Sequence, residues 1–288
     1  MFQYARGQAL ALELGVPHLL DLTAFSGYKA NISEGLYRGM ALHGGFQFAE
    51  IFDCDLHVAS DSDIKKIIGW RRKNIFKKRL SNPYLSVFHG DRIIMEKSVF
   101  NNERDGLSDK GFYISGYWQN EKYFISQEDE IRKSFIFRAP LVGENSMVAE
   151  TVRDVNSVSL HIRRGDYVSN KKFSQQYPVA SIRYYKDAIN IIKKMVPDPV
   201  FFIFSDSIEW AKENFDIGCP VSYISNNNGV SSYNDMHLMS LCKHNITANS
   251  SFSWWGAWLN DNESKIVISP KNWANHFTFE LPKTWIAV

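Results

Sequence analysis

The chain has 288 residues, 44% of them hydrophobic, which is enough apolar material for two cores of ordinary size. Its net charge of +2, from 33 basic and 31 acidic residues, supplies no field for nucleic acid and excludes that class of partner. Three cysteines, Cys54, Cys219 and Cys242, are too few and too far apart for a disulfide framework or a thiolate metal site, and no apolar run reaches the ~18 residues of a membrane span. Together with the lack of a signal peptide, this predicts a cytoplasmic protein.

Taken in chain order, the opening MFQYARGQALALELGV places Phe2, Ala5, Ala9 and Leu12 on one helical face, with Gly15 and Pro17 as stop signals and a strand-like run at 18–22. Two Asp-x-Asp triplets follow, Asp53 to Asp55 and Asp61 to Asp63. They have the form of a divalent-ion pair but lie far in sequence from any phosphate-binding pattern. The segment 63–80, DIKKIIGWRRKNIFKKRL, interleaves eight basic residues with Ile64, Ile67, Ile68, Trp70, Ile75 and Phe76. It reads either as a basic amphipathic helix on an anionic membrane surface or as an ordinary domain helix with a solvated basic face, interrupted at Gly69. A further strand is expected at 112–114, followed by the aromatic stretch GYWQNEKYF with Tyr117, Trp118, Tyr123 and Phe124; the polar stretch 137–156 reads as a linker.

Beyond the linker the pattern becomes regular. Strands are expected at 156–162, 200–205, 221–225, 244–248 and 265–269. Helices are expected at about 181–195, 207–215, 231–242 and 252–260. Such alternation predicts a parallel sheet covered by helices on both faces.

Three segments of this half carry chemistry. In LHIRRGDYV, 160–168, a buried strand ends in His161, Arg163, Arg164 and Asp166. The carboxyl end of a parallel strand is where open α/β sheets bind ligands, planar guanidinium forks suit phosphate oxygens, and Gly165 permits close backbone approach. The plainer reading is a surface ion pair with Asp166. In PVFFIFSDSIEW, 199–210, an apolar strand runs into a helix through Ser205, Asp206 and Ser207, with Asp206 or Ser207 as helix cap. In NDMHLMSLCKHNITANSSFSWW, 234–255, a helix and a strand lead to the polar turn Asn249, Ser250 and Ser251. The aromatic-rich helix beginning at Phe252 follows, and its N-terminus offers amides, hydroxyls and a positive dipole end to an anion. Trp254, Trp255 and Trp258 read as core packing.

HxRRGDY, ANSSFSWWGAWL and the MFQYARGQALA opening resemble the segments of the α-1,2-fucosyltransferases, glycosyltransferase family 11, of bacterial type. In that family a strand and a GxGNQ turn come before the opening helix, so the resemblance makes the chain N-terminally truncated. It implies a GT-B fold of two facing Rossmann-like α/β domains. Residues 1–150 would form an acceptor-side domain, in which Tyr117 and Trp118 could stack on sugar, and 151–288 a GDP-fucose-binding domain. It implies inverting transfer of L-fucose from GDP-fucose to the 2-hydroxyl of a terminal galactoside, on an oligosaccharide or lipid-linked glycan. No metal is expected, because Arg163 takes the ion's place. Carried over by motif, His161 and Asp235 lie near the guanine, while Arg163, Arg164, Asp206, Ser250, Ser251 and Phe252 line the nucleotide and diphosphate pocket. Arg163 and Asp166 are the catalytic expectation, Asp166 orienting Arg164 or its loop. A galactoside acceptor on a lipid would make the protein peripheral at the inner face of a membrane. Two alternatives stay open on residues alone: a catalytically silent GDP-sugar or glycan binder, and a metal-dependent transferase using another nucleotide sugar.

Overall fold

The computed structural model describes residues 1–23, 47–72, 92–96, 111–169, 175, 177–275 and 279–288. They fall into two compact units, Met1–Gly35 with Asp53–Ile136 and Leu36–Phe52 with Phe137–Val288.

In the first unit, helix α1 (Phe2–Leu14) ends at Gly15, whose φ of 64° is the left-handed geometry that a C-terminal glycine supplies. Phe2, Ala5 and Ala9 are buried as their spacing predicts, while Leu12 is 41% exposed because the helix buries Tyr4 and Leu10 instead. Tyr4 packs edge-on against Phe135, and Phe2 against Phe124. The strand expected at 18–22 reduces to one bridge, Leu20 to Val58. Helix α2 (Asp61–Ile68) opens with a capping box in which Ser60 and Asp63 exchange hydrogen bonds, so the second Asp-x-Asp triplet is a helix start. Ile64 and Ile68 pack with Ile93 and Met95 of the short parallel pair β1 (Ile93–Met95) and β2 (Tyr113–Ser115). Within the described part of the basic segment Ile64 and Ile68 are therefore turned to the core, while Trp70 is 52% exposed; residues 73–80 lie outside the described residues. Helix α3 (Glu128–Ser134) completes the unit. Among the described residues no helix is long and apolar enough to cross a membrane.

The second unit holds α4 (Glu144–Asp154), β3 (Asn156–Ile162), α5 (Gly165–Ser169), α6 (Ile182–Met195), β4 (Pro199–Ser205), α7 (Ile208–Asn214), β5 (Val221–Ile224), α8 (Tyr233–Leu241), β6 (His244–Ile246), α9 (Ser251–Leu259), β7 (Val267–Ser269) and β8 (Ile286–Ala287). The stretch read as a linker contains α4, which buries Ala149 and Val152 against Phe202, Phe204 and Leu238. Its apolar spacing is diluted by Glu, Asn, Thr and Arg, which hides the helix from a periodicity reading.

All sheet pairings in this unit are parallel, in the order β5-β4-β3-β6-β7-β8. From β3 the chain winds outward through β4 to β5, then returns to the other side of β3 and continues through β6 to β8. The direction of winding reverses between β3 and β6, the point at whose carboxyl ends open α/β sheets bind ligands. β3 is buried on both faces although its sequence alternates: Val158, Leu160 and Ile162 join the apolar cluster on one side, while Ser157, Ser159 and His161 are buried polar residues on the other. One face packs α6 through Tyr185, Ala188 and Ile192; the other packs α4, α8 and the start of α9. Trp254, Trp255 and Trp258 are buried against one another, Trp254 stacked on Trp258 and Trp255 edge-on to both, which makes them core residues.

Helices α8 and α9 pack so closely that a Cβ on Gly256 would lie 2.9 Å from the Met239 Cβ. Gly256→Val should destabilise the unit by about 2 kcal/mol through overpacking, read as a lower urea midpoint with unchanged slope; an unchanged midpoint would show that α9 can shift away freely.

Candidate active site

The carboxyl ends of β3 and β6 carry the residues singled out in the sequence. Beyond Ile162, Arg163 reaches back toward the end of β4, where its Nη1 lies 3.1 Å from the Asp206 Oδ2. The other oxygen of the same carboxylate accepts the Arg164 N–H at 2.9 Å. Asp206 thus ties two neighbouring strand ends together and fixes the arginine's orientation. It does not cap α7: the N-cap position belongs to Ser207, whose side chain makes no capping bond. Gly165 is required by the same contact, because a Cβ there would meet the Asp206 carboxylate oxygen at 2.8 Å.

The two arginines have different surroundings. The Arg164 guanidinium lies 3.7 Å from the centre of the Trp210 ring on α7 and is anchored there as a cation–π pair. Arg163 is about one-quarter exposed, with its guanidinium 5.9 Å from the Tyr167 ring centre. Arg164 is thus anchored on Trp210, and Arg163 is held by Asp206. Trp210 escaped the sequence reading as a site residue, since a lone aromatic on a short helix carries no motif. Asp166 lies on α5, directly after Gly165, and its side chain is outside the described residues.

His161 is buried at 6% exposure, its ring 5.8 Å from Phe252. Burial, reinforced by the positive charge of Arg163, lowers its pKa to about 4. The imidazole is consequently neutral at physiological pH, and Arg163 supplies the positive charge of this cluster. Tyr185 is also buried, and burial raises the pKa of its hydroxyl.

The serine turn is held from several sides. Asn249 donates to the carbonyls of Pro178 and Trp273, the Tyr167 hydroxyl donates to the Asn249 carbonyl, and the Ser253 hydroxyl accepts from the Ala248 N–H. Ser250 occupies the N-cap of α9 without making a side-chain capping bond, and Ser251, the first helical residue, is exposed. The first-turn amides therefore lack the side-chain acceptor that commonly satisfies them, and this leaves a dipole end with N–H groups suited to an anion. His161, Arg163, Asp206 and Phe252 are brought together; Arg164 joins them through its backbone.

Asp235 belongs to a second cluster at the carboxyl end of β5. It lies in the first turn of α8, and its Oδ1 accepts a 2.7 Å hydrogen bond from Asn227. Burial raises its carboxyl to about 7, the Asn227 bond opposing that shift. No group of acidic, His or Cys residues able to hold a metal occurs among the described residues.

A protein-family model, glycosyl transferase family 11, matches residues 74–286. The chain belongs to this family. It is 32% identical to an Escherichia coli α-1,2-colitosyltransferase over the whole of this chain and 94% of the relative. It is 39% identical to the Escherichia coli O-antigen biosynthesis glycosyltransferase WbnK over 57% of this chain and 55% of that one. A galactoside α-(1,2)-fucosyltransferase 1 from Saimiri boliviensis boliviensis is 27% identical over 55% of this chain and 46% of its own length. Membership makes the protein a glycosyltransferase, and its long similarity to bacterial members agrees with the bacterial type read from the motifs.

Removing the carboxylate in Asp206→Ala should leave Arg163 unfixed and lower glycosyl transfer at least tenfold, a change of about 1.4 kcal/mol in barrier. The urea midpoint should move by about 1 kcal/mol or less, since the pair is part-exposed. Intact transfer alongside a large stability loss would make the clamp purely structural.

Proposed function

We propose that the chain transfers L-fucose from GDP-fucose to the 2-hydroxyl of a terminal galactoside, with inversion and without a metal ion. The observation that carries this reading is the fixed Arg163 fork beside the uncapped N-terminus of α9, at the point where the sheet's winding reverses. A nucleotide diphosphate laid across the strand ends would rest its phosphates on Arg163, Ser250, Ser251 and the first-turn amides, with the Phe252 ring beside them. Strands β5 and β3 are two spacings apart, roughly 10 Å, so the base would extend toward Asp235. That carboxylate, once ionised, offers the acceptors that guanine's N–H groups require.

As the bond from the sugar C1 to the β-phosphate oxygen breaks, negative charge grows on the departing phosphate. A guanidinium already oriented by Asp206 stabilises that charge with little reorganisation, the role that a divalent cation plays elsewhere. The neutral His161 adds no competing charge. The acceptor hydroxyl attacks from the opposite face of the ring, which inverts the anomeric centre; its proton needs a base, which the described residues do not assign. The acceptor in this reading is a galactose-containing oligosaccharide or lipid-linked glycan, on the GT-B plan that the resemblance implies. The α-1,2 linkage is supported by two relatives whose names specify it.

A second donor is favoured by one observation: the relative matched over the whole chain is named for colitose transfer. Colitose is fucose without its 3-hydroxyl, so both sugars place the same leaving group on C1.

Transfer to lactose should be measured with each GDP-sugar in EDTA. Fucose turnover that survives EDTA, and falls at least a hundredfold in Arg163→Lys, is expected, because a point charge cannot reproduce the planar fork. Turnover with the colitose donor alone would reassign the donor. Loss of turnover in EDTA, or near-normal turnover of Arg163→Lys, would refute the arginine mechanism, and nucleotide binding without turnover on any galactoside would mark a silent binder.

A further inference from the structure

The loop after β5 carries three consecutive asparagines, Asn226, Asn227 and Asn228, and two of them enter a closed amide network. Asn145, in the first turn of α4, and Asn227 are both buried at 8% exposure. They bond reciprocally: the Asn145 Nδ2 donates to the Asn227 Oδ1 at 2.8 Å, and the Asn227 Nδ2 donates to the Asn145 Oδ1 at 2.9 Å. Asn226 adds a second donor to the Asn145 Oδ1 at 2.9 Å. This pairing leaves the Asn227 Nδ2 one remaining hydrogen, and it goes to the Asp235 Oδ1. A flipped Asn227 amide would set its oxygen against the Asn145 Oδ1 and its NH2 against the Asn145 Nδ2, so Asn145 dictates which way Asn227 faces, and Asn227 in turn holds the Asp235 carboxyl.

Buried side-chain amides are costly unless every donor and acceptor is matched, and apolar residues would fill the same volume more simply. A lysine or arginine in place of Asn227 would hold the Asp235 carboxyl ionised, but it would also engage the acceptors a ligand needs. A single amide N–H fixes the carboxyl while leaving most of its accepting capacity unused. We infer that Asn227, locked by Asn145, is a positioning residue that aims the Asp235 carboxyl at a guanine-type base and so sets the nucleotide specificity of the donor. This inference rests on the donor reading above. The network lies at the carboxyl end of β5, the side of the sheet from which Arg163 and the serine turn also project.

The test uses the full chain and measures dissociation constants for GDP and for inosine diphosphate, which lacks guanine's exocyclic amine, by calorimetry. It also measures KM and kcat with the donor. Asn227→Ala and the isosteric Asn227→Asp should each reduce the preference for GDP over inosine diphosphate about tenfold, a difference of about 1.4 kcal/mol. KM should rise and kcat at saturating donor should stay within about threefold. Asn227→Gln, which keeps an amide, should recover part of the preference. Equal weakening of both nucleotides, or an unchanged preference in both Asn227 variants while Asp235→Asn abolishes it, would overturn the role of Asn227 and leave the donor reading standing. An unchanged preference in Asp235→Asn itself would instead overturn the reading of Asp235 as the base contact. Should the Asn227 variants not fold, Asn145→Ser, which unlocks the amide without touching Asp235, is measured the same way, and an unchanged preference there would also overturn the inference.

Discussion

One carboxylate spans two neighbouring strand ends in this fold, and the cluster is built around it. Asp206 at the end of β4 takes the Arg163 guanidinium on one oxygen and the Arg164 amide on the other. The remaining features of the cluster fit around that bridge. Gly165 has no side chain because the carboxylate occupies the space, and Arg164 turns away to stack on Trp210. The parallel pairing of β3 with β4, register-matched from Asn156 with Pro199 to Ile162 with Ser205, brings the bridge's two halves within reach. A slip of one residue in that register would send the arginine to the other face of the sheet.

Desolvation then divides the work among the titratable groups. His161, enclosed beside Arg163, is held neutral, and Asp235, enclosed among amides, has its carboxyl raised to about 7. Positive charge therefore concentrates at Arg163 and the dipole end of α9, while the accepting group lies toward β5. This polarity suits a ligand with an anionic centre and a hydrogen-bond-donating base.

Much of this was legible in the sequence. The strand that ends in HIRRGDY was readable from Val158, Leu160 and the charged residues that follow it, and the turn ANSS from the polar residues after a short strand; every strand expected after residue 155 is present to within a few residues. What was not legible depended on partners remote in sequence. Nothing local to Asp206 distinguishes a helix cap from an arginine clamp, since both need an acidic residue at a strand-to-helix junction; the partner 43 positions away decides. The helix inside 137–156 was missed because only a few of its residues face the core. In the basic segment the amphipathic spacing of the isoleucines did not say what covers them; Ile93 and Met95 cover Ile64 and Ile68. The amide network gave only the hint of three asparagines in a row; the reciprocal partner, Asn145, is supplied by folding.

The central claim, that an anionic ligand is held between the Arg163 loop and the first turn of α9, is tested most directly by amide hydrogen exchange on the full chain with and without saturating GDP. Slowed exchange at Arg164 and at Ser251, Phe252 and Ser253 is the result this arrangement predicts. Saturable GDP binding that leaves those amides unchanged while protecting others would contradict it.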